Sequence, residues 1–327
     1  MTPNPGRAGE QPSSKPWHGS AQAGPPPPPA PSRSGAVALI VFEPHTLLFS
    51  DPFLPRLIGG VEATLHERGM HSVLLAPQSA PDCDWTATYV AGGHADAAML
   101  VSFPGSHPLA GQLAARGIPV VFGGRPAQPA RFGHVDVDNV TGASHAVAHL
   151  AAGGRRTIAT ITGRRDVPAA QDRLRGYRQG LEAAGLPTDE ALVEDGDFTR
   201  DGGARAMRFL LSIRPQLDAV FAASDLMAAG ALQVLSETGR RVPKDVAVVG
   251  YDDDPFAASL QPPLTSVRQP IERMGREMAA MVVNALHSPD RSPQAVTLST
   301  RLEVRLSSAP VAGVGSSGTP ERGGSAG

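Results

Sequence analysis

The chain has 327 residues, 41% of them hydrophobic and 18% charged, which is enough apolar material for two core-forming units of ordinary size. A formal net charge of -2 excludes a strong overall field toward nucleic acid or an anionic membrane. The single cysteine, Cys83, excludes an internal disulfide and a multi-cysteine zinc site. Only Lys15 and Lys244 of the 29 basic residues are lysine, and the arginines are scattered, which reads as compositional bias rather than a phosphate-binding surface.

Residues 1–34 hold ten prolines with Ser, Gly and Gln, and predict a disordered, partly polyproline II tail. Residues 308–327 are rich in Gly, Ser and Pro and predict a second disordered tail. No secretory signal pattern and no N-terminal lipid-anchor cysteine is visible. The apolar run Ala36–Phe42 is too short to span a membrane, so a cytoplasmic location is expected.

Between the tails, short strands and helices alternate, the pattern of a doubly wound parallel sheet. Strands are predicted at 37–42, 72–76, 97–101 and 119–122. Between them fall helices at about 52–68, 82–91 and 109–116. Leu54, Leu57, Ile58, Val61 and Leu65 form the apolar stripe of the first helix. Asp51 stands at its N-cap position and Gly69 at its end. A second series follows, with strands at 134–137, 157–161, near 192 and 219–222. Its helices are predicted at 139–152, 169–184, 201–212 and 225–238. A last amphipathic helix carries Ile271, Met274, Met278, Met281, Val282 and Leu286, and 295–306 reads as one extended segment. Two α/β units of this kind leave a cleft between them.

The stretch Asp245–Pro270, DVAVVGYDDDPFAASLQPPLTSVRQP, combines three signals. Val246–Val249 is a buried strand by its unbroken β-branched run. Gly250-Tyr251 is expected to lift the backbone off that strand, after which Asp252, Asp253 and Asp254 follow. Ligands of open parallel sheets bind beyond the carboxyl ends of the strands, where a carboxylate can accept from ligand hydroxyls. Pro262-Pro263 then forces an extended exit into a short strand, 264–267, that returns toward the first unit.

These residues carry a family resemblance. The segments SDPFLPRLIGGVEATLHERG, HVDVDNVTGASHAVAHLAAGGRRTIATITG, QDRLRGYRQGLEAAGL and EDGDFTRDGGARAM occur in that order. AVFAASDLMAAGALQVLSETGRRVPKDVAVVGYDDDPFAASLQPPLTSVRQP and RLEVRLSS complete the series. Together they make residues 36–307 similar to the sensor domain of the LacI/GalR family of bacterial transcription regulators. The resemblance implies a periplasmic-binding-protein-like type I α/β fold over 35–307. Its first subdomain would hold about 36–137 plus 268–290, and its second about 138–267 plus 291–307. It also implies a homodimer, with Met227, Leu232 and Leu235 as a candidate contact whose competing reading is packing on the sheet. Regulators of this family carry an N-terminal helix-turn-helix. The Pro-rich 1–34 cannot make one, so operator DNA is an expected partner only if such a module is supplied.

The ligand residues follow from the same resemblance, each beside a plainer reading. Asp252 matches the carboxylate that receives ligand hydroxyls, against a turn carboxylate; Asp253 and Asp254 fit the turn and cap reading. Arg173, in DRLRGY, matches the ligand-gripping arginine whose planar fork serves two hydroxyls, against a helix-surface ion pair. Phe198 matches an aromatic that packs on the ligand ring, against a core phenylalanine. Arg125 fits the cleft rim, against a solvated loop residue. Phe53 and Asp51 lie at the mouth of the first helix, and an N-cap accounts equally for Asp51. Ser224 is a further candidate beside Asp225, which reads better as a cap, and Asp138 reads as structural.

Other chemistry finds little footing. His145 and His149 are four apart on one helix face, but no third metal ligand accompanies them. The three aspartates lack a phosphate loop that would make them a Mg²⁺ site. There is no GxSxG elbow, P-loop or dinucleotide fingerprint, so no enzyme, catalytic residue, metal or cofactor is expected. Asn139-Val140-Thr141 is a glycosylation sequon by pattern only. The expected function is a ligand-responsive transcriptional regulator whose effector, a small molecule such as a sugar, binds between the subdomains. The alternative is a sugar-binding protein of a transport system.

Overall fold

The computed structural model describes residues 34–104, 107–288 and 292–309. The expected disordered tails lie outside them, except at their inner ends. Ser308, placed in the tail by composition, is buried and donates to Thr265 Oγ1 at 2.7 Å.

Two lobes are built on two six-stranded sheets. In the first, β1 (Ala36–Val41), β2 (His71–Leu75), β3 (Ala97–Val101), β4 (Val120–Gly123), β5 (Gly133–Val137) and β11 (Ala295–Leu298) are all parallel. Their order is β11-β5-β4-β3-β1-β2. Helices α1 (His45–Leu48), α2 (Phe53–His66), α3 (Ala80–Tyr89), α4 (Leu109–Ala115) and α9 (Ile271–His287) belong to this lobe. The second lobe holds β6 (Ile158–Thr162), β7 (Val193–Asp195), β8 (Ala219–Ala222), β9 (Ala247–Asp252), β10 (Thr265–Arg268) and β12 (Arg301–Glu303). Their order is β12-β10-β9-β8-β6-β7, with β12 the antiparallel edge. Around them lie α5 (Asn139–Ala152), α6 (Pro168–Ala183), α7 (Arg200–Ile213) and α8 (Asp225–Glu237).

Each sheet is covered on both faces, which is why its strands read as continuous apolar runs. In β1, Val37, Leu39 and Val41 enter the core under α2 and α9, while Ala36, Ala38 and Ile40 enter the one under α3 and α4. In β8, Val220 and Ala222 face α7 and α8, and Ala219 and Phe221 face α5 and α6. The chain crosses between lobes three times: between β5 and α5, between β10 and α9, and between β11 and β12. Two of these crossings touch: Thr300 Oγ1 donates to Asp138 O at 3.5 Å.

Several expectations need correction. The extended segment at 295–306 is two strands in different sheets, because the chain crosses to the second lobe at Ser299-Thr300. Gly250 and Tyr251 do not leave the strand: β9 pairs with β10 through Asp252. Helix α1 has only four residues, too few for a periodic signal, and is absent from the sequence reading. Met227, Leu232 and Leu235 are buried in the core beneath α8 and cannot form a dimer contact.

Close helix contact in the first lobe depends on two glycines. A Cβ on Gly275 would stand 2.3 Å from Leu57 O, and one on Gly60 would stand 2.1 Å from Glu272 O. The backbones of α2 and α9 therefore touch. Alanine is the better helix former, yet Gly275→Ala should destabilise the chain by about 1–3 kcal/mol because the helices must separate. Urea unfolding measures this, and a neutral or stabilising result would contradict the packing described.

Candidate ligand-binding cleft

The carboxyl ends of both sheets face each other across a cleft of about 850 Å³, open solvent at its mouth included. Among the described residues, the non-glycine residues with left-handed backbone are Ser102, Asp197, Phe198, Asp252 and Asp253, with φ between 50° and 109°. All five lie at or just beyond the ends of β3, β7 and β9 that border this cleft. Such conformations cost about 1–3 kcal/mol each and persist where the surroundings over-determine them. Three of the five, Ser102, Phe198 and Asp252, line the space between the lobes.

The centre of the cleft is a buried polar chain. Asp136, at the end of β5, accepts from Val137 N at 2.8 Å and from Asn139 Nδ2 at 3.1 Å. Asn139 Oδ1 accepts from Arg173 Nε at 2.9 Å. Arg173 Nη1 donates to Ala223 O at 2.6 Å and lies 3.5 Å from Asp252 Oδ1, which also accepts from the Gln269 amide. The guanidinium carbon lies over Tyr251, 3.8 Å from the ring centroid. Arg173 and Asp252 are 5% and 6% exposed, so each charge depends on these partners. Burial pushes the Asp252 carboxyl well up from its ordinary value, with Arg173 pulling the other way and Asp254, Asp225 and Asp51 adding to the rise. The Arg173 Nη2 and Asp252 Oδ2 atoms have no hydrogen-bond partner among the described residues. A donor and an acceptor thus stand side by side at the cleft floor, the pair that adjacent hydroxyls require.

Asp253 and Asp254 are neither turn caps nor ligand groups. Asp253 pairs with Arg268 and Arg305, both at 2.6 Å. Asp254 faces Arg56 at 3.5 Å, and its backbone N–H donates to Asp225 Oδ2 at 2.8 Å. Asp225, expected as a cap, is fully buried. It accepts from Ser266 Oγ at 2.6 Å and fastens the loop after β9. The cap of α8 is Ser224, which accepts from Met227 N at 3.3 Å and also borders the cleft. The three aspartates each turn to a different arginine. Among the described residues no group of three or more His, Cys, Asp or Glu is placed to hold a metal.

All seven sequence candidates border this one cavity: Asp252, Arg173, Phe198, Arg125, Phe53, Asp51 and Ser224. Their surroundings differ. Phe198 stands on the backbone of Gly163, where a Cβ would come within 1.9 Å of the ring, so that glycine makes room for it. Asp51 accepts from Phe53 N at 2.9 Å, and Pro52 intervenes before α2, so it serves the helix start and the cleft together. Burial raises its carboxyl. Arg125 is not free: it forms a bidentate pair with Asp172 of the opposite lobe, at 2.8 Å for Nη2 to Oδ1 and 3.3 Å for Nε to Oδ2. Glu43, Ser102, Phe103, Phe122, Asp136, Asn139 and Gln269 also line the cleft and were missed. Their shared signal is position at or just beyond the carboxyl end of a predicted strand, or at a crossing. Asn139, the sequon asparagine, is 2% exposed with its amide in the polar chain. His149 is hydrogen-bonded to Ser308 Oγ at 2.8 Å.

Two α/β lobes joined by three crossings, with donors, acceptors and aromatic faces converging on the cleft, define a hinged small-molecule sensor. Comparison with known proteins gives the particular family. Residues 147–308 match the periplasmic binding protein-like domain model. The chain is 46% identical over 277 residues to the HTH-type transcriptional regulator CelR of Thermobifida fusca, covering 84% of this chain and 82% of that protein. A solved CelR–cellobiose complex superposes with a TM-score of 0.82 at 46% identity, over 85% of this chain and 86% of that one. A putative LacI transcriptional regulator from Bacillus cereus subsp. cytotoxis NVH 391-98 superposes at 0.80 with 25% identity, over 83% and 97% of the two chains. The chain belongs to the LacI/GalR family of transcriptional regulators.

The aspartate cluster sets a pH dependence. The Asp254 carboxyl is pushed up to about 7, first by burial and then by Asp51, against the pull of Arg56. A raised folded-state value favours the neutral acid, so its stabilisation is complete below the ordinary carboxylate range and is lost as pH rises through about 7. Thermal melts from pH 5 to 8 should show Asp254→Asn gaining stability relative to the native chain as pH rises. A difference independent of pH would contradict this.

Proposed function

We propose that the chain is the effector-sensing part of a transcriptional regulator and that its effector is a sugar of the cellobiose class, bound between the lobes. The carrying observation is the Arg173–Asp252 pair, Nη1 3.5 Å from Oδ1 with the second atom of each group unpartnered among the described residues, in a cleft lined by Phe53, Phe103, Phe122 and Phe198. Sugars present adjacent hydroxyls around apolar ring faces, and this arrangement offers a matching fork, acceptor and aromatic surface. The CelR relative, solved with cellobiose, supplies the sugar class.

In this reading Asp252 accepts from one hydroxyl, Arg173 donates to its neighbour, and Phe198 packs on a ring. Arg125, Asp51, Phe53 and Ser224 complete the lining. The protein acts by binding rather than catalysis, in the cytoplasm; no helix among the described residues is long and apolar enough to cross a membrane. It works as a homodimer and reaches operator DNA only in combination with a helix-turn-helix module. The named relatives are transcriptional regulators, and the transport reading is set aside.

Calorimetry with cellobiose tests the proposal. Asp252→Asn keeps the shape and removes the charge, and should weaken binding about 10- to 150-fold, the worth of a charge-assisted hydrogen bond of about 1.5–3 kcal/mol. At 100 times its Kd, cellobiose should raise the unfolding free energy of the native chain by about 2.7 kcal/mol. Unchanged affinity in the variant would remove Asp252 from the site.

A further inference from the structure

Three arginine–carboxylate contacts cross the cleft, and they share a pattern. Arg125, beyond β4, grips Asp172 on α6 with Nη2 at 2.8 Å from Oδ1, and Asp172 also holds Arg175 of its own helix at 2.6 Å. Arg164, beyond β6, lies 3.7 Å from Glu43 beyond β1, and 3.4 Å from Asp166 in its own loop. Arg56 on α2 lies 3.5 Å from Asp254 of the second lobe, and 2.7 Å from Glu272 on neighbouring α9. In each case one member of the cross-lobe pair keeps a second, closer partner within its own lobe.

A buried ion pair broken on one side leaves an uncompensated charge, which would lock two lobes together. A member with a partner at home can instead part from the other lobe and remain paired. Arg125 forms no ion pair within its own lobe among the described residues, although its charge reaches Asp136 on β5. Its side chain is 38% exposed and can turn to water, whereas the Asp172 side chain is 7% exposed and retains Arg175. Two packings of similar energy are what a hinged switch requires.

We propose that Arg125 and Asp172 form a releasable clasp over the cleft, with Arg164–Glu43 and Arg56–Asp254 as secondary ties, and that this clasp sets how long the effector is retained. Asp172 is a positioning residue: it touches no ligand and acts by holding Arg125 across the cleft. The part concerning retention rests on the sugar-binding reading above; the closure itself does not.

The test uses the whole chain and two readouts. Small-angle scattering without ligand should give a larger radius of gyration for Asp172→Asn and for Arg125→Gln than for the native chain. Stopped-flow dissociation of cellobiose should be about tenfold faster in both variants, as expected for losing one charge-assisted pair. The exchange Arg125→Asp with Asp172→Arg should restore both values toward native. Unchanged scattering in the single variants overturns the clasp. Changed scattering with unchanged dissociation keeps the closure and overturns its role in retention. If the native chain binds no cellobiose while the variants still open, the clasp stands and the effector reading fails.

Discussion

Everything at the cleft depends on keeping Arg173 charged in a place nearly closed to water. Burying a guanidinium costs several kcal/mol unless its donors are met. Here Nε is met by a side-chain amide and Nη1 by a backbone carbonyl and a carboxylate, with the ring of Tyr251 beneath, which leaves Nη2 for the cleft. That chain of contacts begins at Asp136 in the first sheet and ends at Gln269 in the second crossing. It therefore links the proposed anchors, Arg173 and Asp252, to two of the segments that join the lobes. A ligand engaging Arg173 and Asp252 acts on the same hydrogen bonds that fix the crossing residues, which gives binding a physical route to lobe geometry.

The protein supports this arrangement with local strain and with space. Ser102, Phe198 and Asp252 hold left-handed backbone at the cleft border, where glycine would be easier but would carry no side chain. Gly163 is the converse case, a residue kept small so that the Phe198 ring can lie upon the chain. Around the floor, the carboxyls of Glu43, Asp51, Asp136, Asp252 and Asp254 are all raised first by burial. Arginines from both lobes face them, so the electrostatics of the closed cleft depend on both halves being present.

Much of the fold was legible because the sheets are covered on both faces. That burial writes strands such as β1 and β8 as unbroken apolar runs, and it writes α2 and α9 as apolar stripes. The segments missed or misjudged lacked such a signal. Four residues are too few to show helical period at α1. The crossing at Ser299-Thr300 that divides 295–306 between two sheets is a tertiary choice. Gly250, which looked like a strand breaker, stays in β9 paired with Ser266 of β10, and it is glycine because Asp225 Oδ1 would stand 2.2 Å from any Cβ there. At the site, motif resemblance drew Asp252, Arg173 and Phe198 to one cavity. It could not show that Arg125 is already occupied by Asp172, that Asp253 and Asp254 belong to arginines, or that Asn139 joins the polar chain. Those are pairings between residues distant in sequence, and no local pattern encodes them.

The central claim is that one sugar sits between the lobes with Arg173 and Asp252 as its polar anchors. The most direct measurement is a crystal structure of this chain grown with cellobiose. The account predicts the disaccharide in the cleft, with hydroxyls within about 3 Å of Arg173 Nη2 and Asp252 Oδ2 and a ring face against Phe198. A sugar bound elsewhere, or bound in the cleft without touching either anchor, would contradict it.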